Sequence, residues 1–123
     1  MSGSIIMDDK YGIKLAAERG IKLREIGDKI LLENEFIRMW EVKLEPGETL
    51  GFHIHYHPYL VVSLSGGTNE IETIFGIKIM TNEPIGTYVF INEMRAVHRL
   101  TNKSNVTYFS RLIEMKSVTW SAK

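Results

Sequence analysis

Three histidines alternate with other residues in the stretch GFHIHYHPYL, as His53, His55 and His57. Alternate residues of a β-strand point to the same face, so this spacing places three imidazoles side by side. Same-face neighbours are about 7 Å apart and a histidine nitrogen lies about 2 Å from a bound metal, so two such rings can reach one ion. The spacing therefore indicates a metal site on a strand.

A third ligand has to come from elsewhere in the chain, and the only other histidine is His98, in NEMRAVHRLTN. The chain has no cysteine, which excludes zinc fingers and iron–sulfur clusters and leaves His, carboxylate or Tyr as ligands. His98 is therefore the candidate third ligand, beside two of the three histidines on the strand.

Length and composition fit a single domain. The chain has 123 residues, 44% of them hydrophobic, which is enough for one sizeable core. Fifteen basic and fifteen acidic residues cancel, and no block of like charge reaches five. This balance favours neither nucleic acid nor a membrane surface as a partner. We expect the partner to be a small molecule or another protein chain.

The chain shows no signal for export or membrane insertion. MSGSIIMDDKYG lacks the basic and long apolar segments of a signal peptide. No later stretch approaches the roughly 20 apolar residues of a membrane span. We therefore expect a soluble cytoplasmic protein.

The elements that position the histidines are predicted to be strands. From Lys29 onward, turn signals separate short runs rich in β-branched and aromatic residues, which is typical of an all-β sandwich or barrel. Before that, the pattern is weak and allows a short helix around Ile13 to Arg19, ended by Gly20. We predict an N-terminal arm over residues 1–28 and a barrel domain over residues 29–123.

These residues resemble the cupin superfamily over roughly residues 30–116. The first cupin motif is a glycine, five residues, HxH, three or four residues, a glutamate, six residues and a glycine, and the second ends in a histidine, three residues and an asparagine. The matching positions here are Gly47, His53, His55, Gly66, His98 and Asn102, with Tyr59 at the glutamate position. The resemblance implies a small cupin jelly-roll barrel, also called a double-stranded β-helix, and a homodimer.

Two departures from the motifs bear on the chemistry. The proline and glycine expected before the second-motif histidine are absent, and Glu93 and Arg95 stand in that segment. Tyr59 replaces the glutamate ligand, so three neutral imidazoles leave a divalent ion with a site charge of about +2 and with open positions for a bidentate anion. Cupins with three histidines and no glutamate include iron dioxygenases, so the resemblance implies Fe(II), while zinc, nickel, manganese and copper also accept imidazole.

Two further residues are candidates for catalysis. Tyr59 has three open roles, as a phenolate ligand, as a hydrogen-bond donor to a bound substrate anion, or in packing. His57 has four open roles: it replaces the missing ligand, transfers protons, orients another ligand by a hydrogen bond, or is only structural. Arg38 and Arg111 lie among apolar neighbours, and either would clamp a substrate carboxylate if it pointed inward.

The resulting prediction is a mononuclear metal-binding cupin, and the resemblance implies His53, His55 and His98 as its metal ligands. Its expected activity is that of a non-haem Fe(II) dioxygenase on an anionic chelating substrate such as a diketone, thiol or hydroxy-aromatic compound. The alternatives are a non-redox, metal-dependent isomerase or lyase, and a barrel that binds a metabolite without catalysis.

Overall fold

We describe a computed structural model of the chain over residues 9–122. One short helix, α1 (Ile13–Glu18), precedes nine strands. The strands are β1 (Lys29–Glu33), β2 (Ile37–Leu44), β3 (Thr49–His53), β4 (Tyr59–Ser63), β5 (Thr68–Thr73), β6 (Lys78–Asn82), β7 (Tyr88–Ile91), β8 (His98–Asn102) and β9 (Tyr108–Met115). Among the described residues, no helix has the length and apolar character needed to cross a bilayer.

The nine strands form two antiparallel sheets. One has the order β1-β2-β9-β4-β7 and the other the order β3-β8-β5-β6. The residues of β9 alternate between buried and partly exposed along its whole length. One face of the strand is therefore buried, as expected where two sheets pack face to face. The predicted all-β barrel is therefore confirmed.

The main core lies between the two sheets. Trp40, Val42 and Leu44 of β2 and Leu112 of β9 are all nearly inaccessible to solvent. They pack with Leu50 of the opposite sheet. Burying a large apolar side chain contributes about 1.5 to 3 kcal/mol, so this row is a principal source of stability.

The chain before β1 packs against residues that flank the ends of β3, β5 and β8 in the four-stranded sheet. Ala16 of α1 is fully buried with Ile54, Ile74 and Val97. The arm is fixed further by a backbone hydrogen bond from the Arg24 N–H to the Phe52 carbonyl (3.0 Å). The predicted helix is confirmed, and the chain turns just after it at Gly20, whose φ of 71° favours glycine. Residues 9–26 thus support the segments that carry the histidines.

Asn102, the last residue of β8, closes the turn that follows the strand. Its buried amide donates to the Leu44 carbonyl (3.0 Å) and the Val106 carbonyl (2.8 Å). Its Oδ1 accepts from the Ser104 backbone N–H (2.9 Å) and hydroxyl (2.7 Å). One side chain therefore satisfies four polar groups of the surrounding loops.

Replacing Asn102 with alanine will leave buried carbonyl and N–H groups without partners. We expect Asn102→Ala to lower the free energy of unfolding by about 2 to 4 kcal/mol, measured by urea denaturation at neutral pH. Asn82→Ala, at an exposed position at the end of β6, is the matched control and should change stability by less than about 0.5 kcal/mol. Equal effects of the two substitutions would contradict this role for Asn102.

Candidate metal centre

Strand register brings two of the predicted ligands together. Strands β3 and β8 pair with His53 directly opposite His98, and their ring centroids are 4.5 Å apart. His55 lies two residues beyond the end of β3, with its ring centroid 5.2 Å from that of His53 and 5.4 Å from that of His98. The structure thus groups the three histidines that the sequence analysis selected as ligands.

The donor atoms of this group fit a divalent ion. Each ring offers one nitrogen, and the three nitrogens all lie within 4.8 Å of one another. Nitrogens bound to one ion at about 2.1 Å are at most about 4.2 Å apart, so small rotations of the rings complete a binding geometry. Imidazole suits iron, copper, nickel and zinc alike, so the donor set defines a metal site without naming the metal.

Backbone carbonyls determine which ring nitrogen of His53 and of His98 is free to bind a metal. The Nδ1–H of His53 donates to the Gly51 carbonyl (2.8 Å), and the Nδ1–H of His98 donates to the Ala96 carbonyl (2.7 Å). A carbonyl only accepts, so both rings carry the proton on Nδ1 and present the Nε2 lone pair. Such a hydrogen bond on the far nitrogen is the usual support of a metal-binding histidine.

His55 has an unsatisfied polar atom. Its Nδ1 is buried and has no hydrogen-bond partner within residues 9–122. Buried polar atoms without partners are uncommon in proteins, and each calls for a physical reason such as an ion. The orphaned nitrogen of His55 therefore agrees with the metal-binding role of the group.

Burial keeps the three rings neutral. It lowers the pKa of His53 to about 3, with a further contribution from the neighbouring His98, and it lowers the pKa of His55 well below its usual range. Burial also lowers the pKa of His98, against an opposing effect of its hydrogen bond to Ala96. Neutral imidazole is the form that binds metals, so no proton has to be removed at pH 7.

Tyr59, at the glutamate position of the motif, lies against the histidines. Its ring stacks on that of His55, with centroids 4.0 Å apart and an interplanar angle of 15°. Burial raises the pKa of Tyr59 to about 12, and the positive charge of Arg95 partly opposes this shift. The phenol therefore keeps its proton near neutral pH and can donate a hydrogen bond.

The expectation that His57 shares a face with His53 and His55 is wrong. Strand β3 ends at His53 and β4 begins at Tyr59, so residues 54–58 do not follow strand alternation. The Nδ1–H of His57 donates to the Val118 carbonyl (2.8 Å), and the ring lines a groove of about 190 Å³. His57 therefore lies outside the three-histidine group.

Neither arginine singled out from the sequence is free to bind an anion alone. Arg38 pairs with Glu33 (3.1 Å) and with the buried Glu114 (3.2 Å), and it lines the same groove as His57. Arg111 lies near Glu41 (3.6 Å). Existing carboxylates thus neutralise the charges of both side chains.

Two other arginines act on the site. The charge of Arg24 contributes to lowering the pKa of His53, and that of Arg95 contributes to lowering the pKa of His98. The stem of Arg24 packs over Gly51, whose carbonyl orients His53. Sequence analysis noted Arg95 only as a departure from a motif and missed Arg24, because nothing in the pattern of the arm shows which side chain reaches the barrel.

Comparison with known proteins relates the chain to solved barrels. No protein-family model matches it, and no curated protein matches it significantly. A cupin domain from Bordetella pertussis is 25% identical, with a TM-score of 0.66 over 77% of this chain and 99% of that one. The chain has the cupin fold.

Two further structures support the cupin fold at lower identity. A Cupin 2 conserved barrel domain protein from Salinispora arenicola is 17% identical, with a TM-score of 0.53 over 85% of each chain. A Klebsiella pneumoniae protein with a double-stranded β-helix domain is 15% identical, with a TM-score of 0.56 over 85% of this chain and 93% of that one. These likenesses establish the architecture, and the histidine geometry adds the candidate metal centre of this cupin barrel.

The neutral histidines predict how stability depends on pH. The pKa of His53 is about 3 in the folded, metal-free protein and about 6.5 in an unfolded chain. The unfolded chain therefore binds more protons between these values, so stability falls as the pH drops through this window. We expect the urea midpoint of metal-free protein to decrease steadily from pH 6.5 to pH 4.5.

A double variant, His53→Gln with His98→Gln, serves as the control for this pH dependence. Hydrogen bonds from Lys116 and Arg99 lower the pKa values of Glu33 and Glu72, so these carboxylates lose their stabilising effect only below about pH 4.5. Between pH 6.5 and pH 4.5, the urea midpoint of the variant should decrease less steeply than that of the wild type. If the urea midpoint falls equally steeply with pH in the wild type and in the variant, the histidines do not cause the pH dependence.

Proposed function

We propose that this cupin is a mononuclear metal-dependent enzyme whose ion is held by His53, His55 and His98. The observation that carries the proposal is the convergence of three neutral imidazoles, two of them with Nε2 lone pairs fixed by backbone hydrogen bonds. The proposed reaction is oxygenation of a small anionic compound such as a diketone, thiol or hydroxy-aromatic. The proposed metal is Fe(II), which imidazole ligands suit.

The electrostatics of the site favour an anionic substrate. The three histidine ligands carry no charge, so they leave the full positive charge of a divalent ion unneutralised. The charges of Arg24 and Arg95 act on the same histidines and add to this positive potential. An anion that enters the site is therefore attracted by the metal ion and by the positive charges of Arg24 and Arg95.

The chain itself contributes orientation and a proton. Fe(II), when bound, would supply a Lewis acid for the chelating anion and an electron donor for oxygen. Tyr59 keeps its phenolic proton, because burial raises its pKa to about 12, and it offers a hydrogen bond beside His55. His53 and His55 are only 3% and 4% exposed, and this burial limits the access of water to an ion that they would hold.

The proposal is tested first by metal content. Protein purified without an affinity tag should contain one equivalent of iron per chain by elemental analysis, and His53→Ala with His98→Ala should contain less than about a tenth of that. His57→Ala, outside the three-histidine group, should retain the metal. Oxygen uptake with diketones, thiols and dihydroxy-aromatic compounds then tests the reaction.

The other outcomes are equally informative. Stoichiometric zinc, nickel or manganese with oxygen-independent turnover would replace the dioxygenase with an isomerase or lyase, in which the same ligand set holds a Lewis acid. If neither the wild type nor the double alanine variant contains metal, even after anaerobic loading with Fe(II), the proposal is overturned. The barrel would then be a metabolite-binding protein, and mutation of His53 would leave its ligand affinity unchanged.

Tyr59→Phe separates metal binding from proton transfer. A protonated phenol is a poor metal ligand, so we expect the Fe(II) affinity of this variant to stay within about threefold of the wild-type value. Its turnover should fall by about 100-fold or more, as expected when a positioned proton donor is removed. Loss of metal from Tyr59→Phe, measured by anaerobic Fe(II) titration, would instead make the tyrosine a ligand.

A further inference from the structure

The groove of about 190 Å³ that His57 lines is a second cavity beside the candidate metal centre. The three histidines of that centre are not among the described residues that line it. Two links place it next to the centre all the same. Arg24 lines the groove and packs its stem over Gly51, and Glu114, another lining residue, pairs across β4 and β9 with Tyr59.

Glu114 brings a buried carboxylate to the groove, and the side chain is only 3% exposed. Its Oε1 accepts hydrogen bonds from the Trp40 Nε1–H (2.7 Å) and from the Arg38 guanidinium (3.2 Å). Its Oε2 accepts no hydrogen bond from the residues that the structure describes. Oε2 is therefore the oxygen that a ligand in the groove can reach, and it needs a donor.

His57 adds a second acceptor. Its Nδ1–H donates to the Val118 carbonyl, so Nε2 of the neutral ring carries a lone pair. Over residues 9–122, this Nε2 has no hydrogen-bond partner. An ammonium group has three N–H donors and a positive charge, so it matches a carboxylate oxygen and an imidazole nitrogen that face the same space.

Arg24 supplies a free positive charge in the same groove. It forms no ion pair with any described residue, unlike Arg38, Arg99 and Arg111. Its Nε donates to the Glu25 carbonyl (3.3 Å), which leaves the two terminal nitrogens for a ligand. Paired N–H groups of this kind fit a carboxylate. The side chain of Glu25 also lines the groove, so the groove carries both signs of charge and favours a zwitterion over a simple anion.

The remaining wall of the groove is apolar. Ile26, Trp40 and Ile54 line it, and each is at most 8% exposed. The volume equals that of about six water molecules at about 30 Å³ each. It is smaller than the roughly 300 to 1,000 Å³ of sites for drug-sized ligands. The groove therefore suits a small molecule with two charged groups and a short apolar chain.

We propose that this groove binds a small aliphatic α-amino acid. The ammonium group lies at Glu114 and His57, the carboxylate lies at Arg24, and the side chain packs against Trp40 and Ile54. A plain amine or a plain carboxylate would leave one end of the groove without a partner. This inference is independent of the proposed enzymatic function, because none of the three histidine ligands lines the groove.

Isothermal titration calorimetry with three probes of one carbon skeleton tests the site. L-Leucine has both charged groups, 4-methylpentanoate lacks the ammonium group, and 3-methylbutylamine lacks the carboxylate. We expect L-leucine to bind with a Kd below about 1 mM and each of the other probes to bind at least about tenfold more weakly. No binding of L-leucine, or equal affinities for all three probes, would overturn the inference.

Variants assign the two ends of the ligand. Arg24→Gln, at an exposed position, should weaken L-leucine binding by about tenfold or more and leave 3-methylbutylamine within about twofold, because the amine has no carboxylate. Glu114→Gln should weaken both probes. Lys78→Gln is the matched control, since it removes a positive charge at an exposed position of β6, and it should leave both affinities unchanged. If Arg24→Gln weakens both probes equally or neither, Arg24 does not bind the carboxylate and the inference fails.

Removal of the metal separates this groove from the metal centre. After treatment with EDTA, with the fold checked by circular dichroism, the affinity for L-leucine should stay within about threefold of its value before treatment. Binding that disappears with the metal would place the amino acid on the ion and contradict a separate site. The metal content of the purified protein does not enter this comparison, so the proposed function and this inference fail independently.

Discussion

The candidate metal centre depends on one cross-strand pairing, in which His53 of β3 lies directly opposite His98 of β8. The two histidines are 45 residues apart in sequence, and only the sheet register joins them. A shift of one residue would turn one of the rings to the other face of the sheet. Asn102, four residues after His98, ties the end of β8 to the end of β2 and to the loop before β9, and so helps to hold this register.

Burial and backbone hydrogen bonding together prepare the histidines for an ion. Burial disfavours the charged imidazolium, and hydrogen bonds to Gly51 and Ala96 hold the proton of each ring on Nδ1. Burial has a cost in the metal-free protein, because His55 keeps a buried nitrogen without a partner among the described residues. The site is thus organised before a ligand enters it.

Much of this arrangement could be predicted from the sequence, and the failures have physical causes. Histidine spacing and turn signals were sufficient to select His53, His55 and His98 and to predict an all-β barrel. His57 was misplaced because strand alternation was extended through residues 54–58, where Pro58 cannot donate to a ladder and the strand has already ended. The contact of Arg24 with Gly51 depends on tertiary packing, which local patterns do not encode.

The coordination of the bound ion tests the central claim most directly. X-ray absorption spectroscopy on metal-loaded wild-type protein and on His55→Ala would count the imidazole ligands around the ion. We predict three imidazole nitrogens at about 2.0 to 2.2 Å in the wild type, and two in the variant if it retains metal. A shell dominated by carboxylate or water oxygens, or one unchanged by His55→Ala, would contradict the three-histidine centre.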